Sequence, residues 1–238
     1  MRVAVLSDVH GNLPALDAVL VEVAAEDVDA IVCGGDLVGG PFSVEVLDRF
    51  LALPDVVFVR GNGDRTMLEG TDEFGVDWEA ERQRLGEERL TAIASWPLTA
   101  ELDFGGLGRA LFCHAVPNAD EPIFTRITPD EDVVRLLGEV SADLVVCGHT
   151  HVQFDRLLPS GLRVVNAGSV GMPYEGRQGA FWALLGPDVE LRRTEYDVEA
   201  AARTIREAGG ALNERQAGYL VDPPDPDEVS AFFESKRV

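Results

Sequence analysis

Five short apolar runs in this chain of 238 residues each end in a cluster of aspartate, asparagine or histidine. The runs are rich in valine, leucine and isoleucine and are about one strand long, which is typical of buried strands. They span residues 3–6, 30–33, 56–60, 110–113 and 144–147. Loops that leave the carboxyl ends of parallel strands are where α/β folds place their functional sites. The sequence therefore predicts an α/β fold whose polar clusters meet at the ends of its strands.

The order of strands and helices narrows the range of α/β folds that the chain can adopt. The first 60 residues read as strand, helix, strand, helix, strand, with Asn12 and Ser43 capping the two helices. Such a repeat predicts parallel strands joined by right-handed crossovers. A later stretch, residues 152–196, reads as four antiparallel strands with turns at 159–161 and 186–188. We expect two mixed β-sheets stacked face to face and flanked by helices, a four-layer α-β-β-α sandwich.

The length of the chain suits one domain over residues 1–238. Residues 66–97 break the alternation of strands and helices, so we predict a small helical insertion there that covers one rim of the cleft. Residues 197–238 predict a C-terminal helical extension, with a helix at 198–208, a short helix near 213–219, a Pro/Asp-rich break at 222–227 and a last turn around 229–233. Neither segment carries a motif that identifies a substrate.

The net charge and the cysteine content limit which binding partners and which cellular compartment are expected. The net charge of −22 repels nucleic-acid backbones and anionic membranes, so general nucleic-acid binding is disfavoured and no membrane association is expected. A phosphorylated substrate would have to be attracted locally, for which bound cations are suited. The three cysteines form no paired spacing and each ends an apolar run, which favours buried filler over thiolate ligation. We expect a reducing, cytoplasmic location.

All four histidines of the chain fall within the strand-end clusters. A single histidine is more often a core or surface residue than a ligand. Here, however, imidazoles and carboxylates coincide after five strands, and both are ligands for borderline transition metals. The sequence therefore predicts a metal site among these clusters, which contain Asp8, His10, Asp36, Asn62, Asp64, His114, His149 and His151.

These motifs resemble, in the same order, those of the calcineurin-like metallophosphoesterases, and most closely the short bacterial and archaeal phosphodiesterase-like members. The resemblance rests on Asp8-Val9-His10, Gly35-Asp36, Gly61-Asn62, His114 and Gly148-His149-Thr150-His151, with a further similar loop at 165–171. It implies two divalent transition-metal ions, with manganese favoured and iron, zinc, nickel or cobalt also suited to the ligands. One ion would take Asp8, His10, Asp36 and His151; the other would take Asp36, Asn62, His114 and His149, with Asp36 as the bridge.

The resemblance also implies an activity, the hydrolysis of phosphate esters by a phosphodiesterase or phosphatase acting on small phosphorylated substrates. A hydroxide between the two metals would be the nucleophile, and Asp36 and Asn62 would be central to catalysis. Asn12, Asn62 and Arg177 are candidate substrate contacts, although Asn12 also suits a helix cap and Arg177 a surface ion pair. The alternative is a regulatory protein that binds metal and phosphate ligands with little turnover. The oligomeric state stays open.

One position departs from the family pattern. Many members carry a histidine directly after the Gly-Asn pair, where it contacts phosphate and protonates the leaving group, whereas this chain has Gly63 followed by Asp64. Asp64 is a candidate catalytic acid, but a structural role, orienting a ligand or pairing with Arg60 or Arg65, is favoured over it. Ser169 lacks a nucleophile elbow, and every histidine is already assigned, so a serine-hydrolase triad is disfavoured.

Overall fold

A computed structural model describes residues 1–70 and 78–237 of the chain; part of the predicted insertion, residues 71–77, and residue 238 lie outside the described residues. The strands are β1 (Val3–Leu6), β2 (Ala30–Cys33), β3 (Val56–Phe58), β4 (Thr99–Asp103), β5 (Arg109–Cys113), β6 (Leu144–Cys147), β7 (Phe154–Leu157), β8 (Arg163–Asn166), β9 (Ala180–Leu185) and β10 (Val189–Thr194). The helices are α1 (Leu13–Ala25), α2 (Ser43–Leu51), α3 (Asn62–Glu69), α4 (Trp78–Ala94), α5 (Asp130–Leu137), α6 (Val198–Glu207), α7 (Ala211–Val221) and α8 (Pro226–Lys236).

The strands form two five-stranded mixed sheets, in the orders β10-β9-β1-β2-β3 and β4-β5-β6-β8-β7. In the first sheet β1, β2 and β3 are parallel, which confirms the order predicted from the N-terminal third of the chain. In the second sheet β5, β6 and β8 are parallel, while β4 and β7 run antiparallel at the edges. Both sheets therefore have parallel strands whose carboxyl ends can carry the loops of a functional site.

The alternation of side chains along β1 explains how the two sheets stack. Val3 and Val5 pack between the sheets together with Val146 of β6. Ala4 and Leu6 point to the other face, where they join the core under helices α1, α2 and α4. Successive residues of a strand face opposite sides, so one strand serves both cores.

The outer face of the second sheet is covered in the same way by α5, whose Val133 and Leu137 pack against Val145 and Cys147 of β6. The order of layers is therefore helices, sheet, sheet, helix. This confirms the predicted α-β-β-α sandwich.

Two local predictions need correction. Ser43 is the first residue of α2 and not its cap, because its hydroxyl accepts the N–H groups of Gly39 and Gly40 and donates to the Gly40 carbonyl. The Pro/Asp-rich stretch at 222–227 is not only a break. Asp225 accepts hydrogen bonds from the N–H groups of residues 227 and 228, and Pro226 opens α8. Proline in a first turn after an aspartate cap starts a helix without losing a backbone hydrogen bond.

The described residues of the predicted insertion and of the tail form helices whose bounds differ from those predicted. α3 begins at Asn62, ahead of the predicted start of the insertion at 66, and α4 changes direction at Gly86, where φ is 75°. In the tail, α7 and α8 each have 11 residues and are longer than the short segments predicted. Residues of both helices line the same cavity as several of the predicted ligands.

Candidate metal and phosphate site

The predicted ligands follow β1, β2, β3, β5 and β6, so both sheets contribute loops to one site. Among the described residues, seven non-glycine residues have a left-handed φ, and five of these are predicted ligands: Asp8, His10, Asp36, His149 and His151, with φ between 45° and 68°. This conformation costs an L-residue on the order of 1–2 kcal/mol. The surrounding fold must therefore hold these turns in place, and such strained positions cluster at functional sites.

Two motif glycines allow the loops to come this close. A Cβ atom at Gly61 would overlap the Asp36 carboxylate, and one at Gly148 would overlap that of Asp8. The glycines that precede Asn62 and His149 are thus required by contact between loops from neighbouring strands.

The first group of ligand atoms comes from Asp8, His10 and His151. His151 Nε2 lies 3.1 Å from Asp8 Oδ1 and 3.2 Å from His10 Nε2. Two nitrogen ligands at about 2.1 Å from one ion are separated by about 3.0–3.4 Å, so this spacing suits a shared cation. Asp8 Oδ1 is buried and has no properly angled hydrogen bond to any described residue, as expected for an oxygen that ligates an ion.

The second group comes from Asp8, Asp36 and His114. His114 Nε2 lies 3.5 Å from Asp36 Oδ2, 4.0 Å from Asp8 Oδ1 and 3.0 Å from Asn62 Oδ1. Asp36 Oδ2 is also 3.8 Å from His10 Nε2, so the Asp36 carboxylate lies between histidines of the two groups. The two groups share Asp8, whereas the sequence resemblance implies that Asp36 is shared.

Hydrogen bonds to backbone carbonyls fix the orientation of two imidazoles. His114 Nδ1 lies 2.9 Å from the Gly34 carbonyl oxygen, and His151 Nδ1 lies 2.7 Å from that of Met172. A carbonyl only accepts, so each Nδ1 carries the proton that it donates. When neutral, both rings therefore direct the Nε2 lone pair toward the cluster, the arrangement typical of metal-binding histidines.

His149 lies at the edge of the cluster. Its ring centroid is 5.1 Å from that of His114, and its Nε2 is 3.1 Å from the Glu121 carbonyl oxygen. Its backbone N–H donates to Asp8 Oδ2 at 3.1 Å. The turn that carries it is held by Asn166, whose amide donates to the Gly148 carbonyl and the Thr150 hydroxyl.

The electrostatics suit cation binding. Burial lowers the pKa of His10 and of His149 to about 4, which keeps both imidazoles neutral near pH 7 and free to act as ligands. Burial also opposes the charged form of His114, but the carboxylates of Asp36 and Asp8 outweigh it and raise its pKa. Burial favours the neutral carboxyl of Asp8, yet the neighbouring imidazoles, His151 foremost, hold its pKa well below the usual range. Buried carboxylates that stay ionised require nearby positive charge.

Asp64 lies beneath the cluster and is fully buried. One oxygen accepts the N–H groups of Asp36 and Gly61 at 2.8 and 3.1 Å, and the other accepts that of Leu37 at 3.0 Å. Burial and the Asp36 carboxylate raise the pKa of Asp64 to about 7, against the effect of these N–H donors. Because both oxygens face the backbone, the contacts are those of a residue that holds the Asp36 loop in shape. Arg65, one of its predicted ion-pair partners, pairs with Glu69, Asp120 and Glu121.

The structure does not bring Asn12 or Arg177 to the cluster as substrate contacts. Asn12 is buried, accepts the N–H of Ala15 as the cap of α1, and donates to the Gly171 carbonyl. Arg177 is exposed, and its guanidinium lies 5.3 Å from the ring centroid of Phe181. Ser169 donates to the Asp8 carbonyl at 2.7 Å, so its hydroxyl positions a ligand loop.

The three cysteines are free and buried, and burial raises the pKa of each thiol, that of Cys113 to about 12. None belongs to either ligand group among the described residues. The prediction that they fill the core is confirmed.

A cavity of about 450 Å³ opens beside the cluster. His10, Asp36, Asn62, His149 and His151 line part of it. The rest of the lining was not predicted from the sequence; it includes Trp78, Met172, Tyr174, Leu212, Arg215, Gln216, Tyr219, Phe232 and Phe233. Most of these side chains belong to α7 and α8, whose sequences carry no catalytic motif.

Comparison with known proteins agrees with this geometry. Residues 1–185 match the calcineurin-like phosphoesterase superfamily domain. The chain is 31% identical over 233 residues to an uncharacterised protein of Methanocaldococcus jannaschii, an alignment covering 85% of this chain and 91% of that protein. The chain therefore belongs to the calcineurin-like phosphoesterase superfamily.

Two solved structures are similar over almost the whole chain. A metallophosphoesterase from Sphaerobacter thermophilus has a TM-score of 0.76 at 28% identity, covering 93% of this chain and 98% of that one. A hypothetical protein from Pyrococcus horikoshii has a TM-score of 0.77 at 20% identity, covering 94% and 99%, and shares the fold. Together with the ligand groups, these similarities identify the chain as a metal-dependent hydrolase of phosphoric esters. Among the residues that the structure describes, none of the helices is both long and apolar enough to cross a bilayer.

Proposed function

We propose that the protein hydrolyses small phosphate monoesters or diesters with two divalent transition-metal ions, manganese being favoured. The observation that carries the proposal is the pair of overlapping ligand groups, in which carboxylate oxygens of Asp8 and Asp36 lie between imidazoles from both sheets. Oxygen and nitrogen donors suit such ions, whereas structural zinc sites are usually rich in cysteine.

The proposed division of ligands follows the family pattern. One ion is held by Asp8, His10, Asp36 and His151, and the other by Asp36, Asn62, His114 and His149. The position of Asp36 Oδ2, 3.8 Å from His10 Nε2 and 3.5 Å from His114 Nε2, supports its role as the bridge. When bound, such a pair of ions lowers the pKa of a water held between them and neutralises phosphoryl oxygens.

The chain's own residues orient this chemistry. Gly63 N–H donates to Asp36 Oδ1 at 2.7 Å, which leaves Oδ2 directed toward the histidines. A Cβ atom at Gly63 would lie only 3.0 Å from Asp36 Oδ1, so a side chain at this position would press on the bridging carboxylate. Gly63 offers no imidazole, and the Asp64 oxygens face backbone donors, so the leaving group lacks an evident protein acid. We therefore expect faster turnover of esters with good leaving groups.

The experiment combines metal analysis with one isosteric substitution. Protein purified without chelator should contain close to two transition-metal ions per chain by elemental analysis. Asp36→Asn should reduce bound metal and abolish hydrolysis of nitrophenyl phosphate esters, because an amide cannot supply the bridging negative charge. Asp48→Asn, on the exposed face of α2, is the matched control and should keep both properties. Full activity in Asp36→Asn would exclude the bridging role.

A second candidate is a regulatory protein that keeps the metal site with little turnover, and Gly63 is the observation that favours it. Screening of generic monoesters and diesters with added manganese separates the two. Hydrolysis no faster than the metal-only background, in protein shown to carry its metal, would favour the binding function.

A further inference from the structure

The cavity beside the metal cluster is larger than a phosphate group requires. Its volume of about 450 Å³ falls within the range of pockets that enclose small organic ligands, about 300–1,000 Å³. Four aromatic side chains line it, and we define them as the aromatic wall: Tyr174, Tyr219, Phe232 and Phe233. The space therefore suits an organic group attached to the phosphate.

The aromatic wall begins directly at a ligand. The Tyr174 ring stacks on that of His151, with centroids 4.8 Å apart and planes 23° from parallel. Tyr219 of α7 meets Tyr174 edge-on at 5.6 Å, and Phe233 of α8 lies 6.4 Å from it. Aromatic rings on one loop and two helices thus line the cavity beside the cluster, and aromatic side chains of this kind stack with planar ligands.

Hydrogen bonds hold the wall in place. The Gln216 amide on α7 is buried and donates to the His10 and Gly171 carbonyls at 3.0 and 3.2 Å. On α8, Glu234 accepts the hydroxyl of Thr125 at 2.8 Å. The wall is therefore largely formed before a ligand arrives, which reduces the entropy lost on binding.

Arg215 supplies a positive charge in the lining of the same cavity. It is exposed, and no carboxylate among the described residues forms an ion pair with it. Six of the 20 basic side chains form no ion pair among the described residues, and of these six Arg215 is the one that lines the cavity. A guanidinium facing a metal-bound phosphate can donate two parallel hydrogen bonds to its oxygens.

We propose, building on the proposed function, that the preferred substrates are phosphate esters whose organic group carries a planar aromatic ring system, of which nucleotides are the common biological source. The aromatic wall stacks with the ring, and Arg215 binds a phosphoryl oxygen. Three of the four wall residues and Arg215 belong to α7 and α8, which lie beyond the segment 1–185 that matches the superfamily domain, so this preference depends mainly on the C-terminal extension.

Competition kinetics test the ring preference. Adenosine 5′-monophosphate, ribose 5-phosphate and octyl phosphate compete with a nitrophenyl phosphate ester on the full, manganese-loaded chain. Adenosine 5′-monophosphate should inhibit about 5- to 100-fold more tightly than ribose 5-phosphate, the order expected for one stacked base. Equal inhibition by these two compounds would overturn the proposal. Tighter inhibition by octyl phosphate would overturn it as well, in favour of an alkyl-binding pocket.

Variants assign the preference to the aromatic wall. Tyr219→Leu and Phe233→Leu should bring the ratio of the two inhibition constants toward one, and either variant suffices if the other fails to fold. Arg215→Gln should weaken both competitors by a similar factor, because it removes a contact to their shared phosphate. Arg203→Gln on α6, also exposed and without an ion pair among the described residues, is the matched control and should leave the constants unchanged. An unchanged ratio in both wall variants would contradict the assignment.

Failure of the proposed function can be told apart from failure of this inference. If no nitrophenyl ester is hydrolysed, the catalytic proposal fails, and calorimetry with the same three compounds on the metal-loaded chain still measures the preference. If the esters are hydrolysed but ribose 5-phosphate binds as tightly as adenosine 5′-monophosphate, catalysis stands and the ring preference is refuted.

Discussion

The metal cluster and the aromatic wall line one cavity but are built differently. The cluster comes from loops at strand ends, with buried carboxylates and five ligands in left-handed backbone. The wall comes from helices α7 and α8 and is more open, with Phe232 58% exposed. The cluster is thus fixed by loops of the two sheets, whereas most of the wall is held by the tail, where Ala217 and Leu220 of α7 pack on α6 and Gln216 donates to the His10 carbonyl.

This difference indicates a division of labour. Groups that need tight geometry, such as metal ligands, are best held on rigid elements. Groups that select among substrates can lie on a separate layer without disturbing them. Damage to the cluster should therefore remove the activity, whereas damage to the wall should alter which ester is preferred.

Removal of metal should have the largest effect. It tests the expectation that the activity depends on the metal cluster. Exhaustive chelation should reduce hydrolysis by at least about 1,000-fold, since in the proposed mechanism the ions supply the nucleophile and the charge neutralisation. Loss of a ligand held at 100–1,000 times its dissociation constant also removes about 3–4 kcal/mol of stability. Calorimetry should show the melting temperature falling by about 5–15 °C.

Manganese should restore both properties, and Phe233→Leu should respond to the chelator as the parent chain does. Persistent hydrolysis in protein shown by elemental analysis to lack metal would contradict the metal-dependent mechanism. A wall variant that loses activity without losing metal would weaken the division between the two regions.

Asp64→Asn should have the next largest effect. Replacing one carboxylate oxygen with an amide turns an acceptor into a donor that faces backbone N–H groups of the Asp36 loop. We expect a loss of about 2–4 kcal/mol of stability, at about 1–3 kcal/mol for each unsatisfied group. Activity should fall about 10- to 100-fold, as for other partners of metal ligands.

The pH dependence separates this positioning role from general acid catalysis. If Asp64 only positions the Asp36 loop, its replacement should lower the rate at all pH values and lower the melting temperature. If Asp64 were the acid, the Asn variant would lose the high-pH decline in rate, while its stability would match that of the Asp48→Asn control.

Much of the fold and of the cluster could be predicted from the sequence. Short apolar runs ending in Asp8, Asp36 or His114 have a local signature, since strand periodicity and ligand chemistry occur within a few residues of each other. Asp64 could not be assigned in this way, because a lone carboxylate has the same signature as an acid or as an acceptor. Its role depends on which N–H groups surround it in the folded chain.

The sequence contains no comparable local pattern from which the aromatic wall could be predicted. Tyr219 and Phe233 are 14 positions apart in different helices, and both lie far along the chain from His151. Aromatic residues in a helix are equally typical of a core or of a ligand pocket. Only the packing of α7 and α8 against the strand ends, through contacts such as Gln216 to His10, reveals which they are.

Gln216→Leu should have a moderate effect and tests how the wall is joined to the cluster. The substitution leaves the His10 carbonyl without its donor, whereas Gly171 keeps a hydrogen bond from Asn12. We expect a cost of about 1–2 kcal/mol and a few-fold fall in kcat/KM from misplacement of the His10 loop.

Gln178→Leu is the control for Gln216→Leu. It removes the 2.8 Å hydrogen bond from the Gln178 side-chain amide to the Val221 carbonyl at the end of α7. No ligand loop takes part in this bond. Equal effects of the two substitutions on kcat/KM would show that the bond to His10 has no special role.

Arg177→Ala should have the smallest effect, although its place after the loop at 165–171 made it the leading arginine candidate for a substrate contact. Its guanidinium lies over Phe181 and outside the cavity, and an exposed cation–π contact contributes about 0.5–1 kcal/mol. We expect kcat/KM to change by less than about 2-fold and the melting temperature to fall by no more than about 4 °C. Arg215→Gln removes the same charge from the cavity side and should reduce kcat/KM more. A larger loss from Arg177→Ala than from Arg215→Gln would place the phosphate-binding cation on the loop side of the cluster and remove the role assigned to α7.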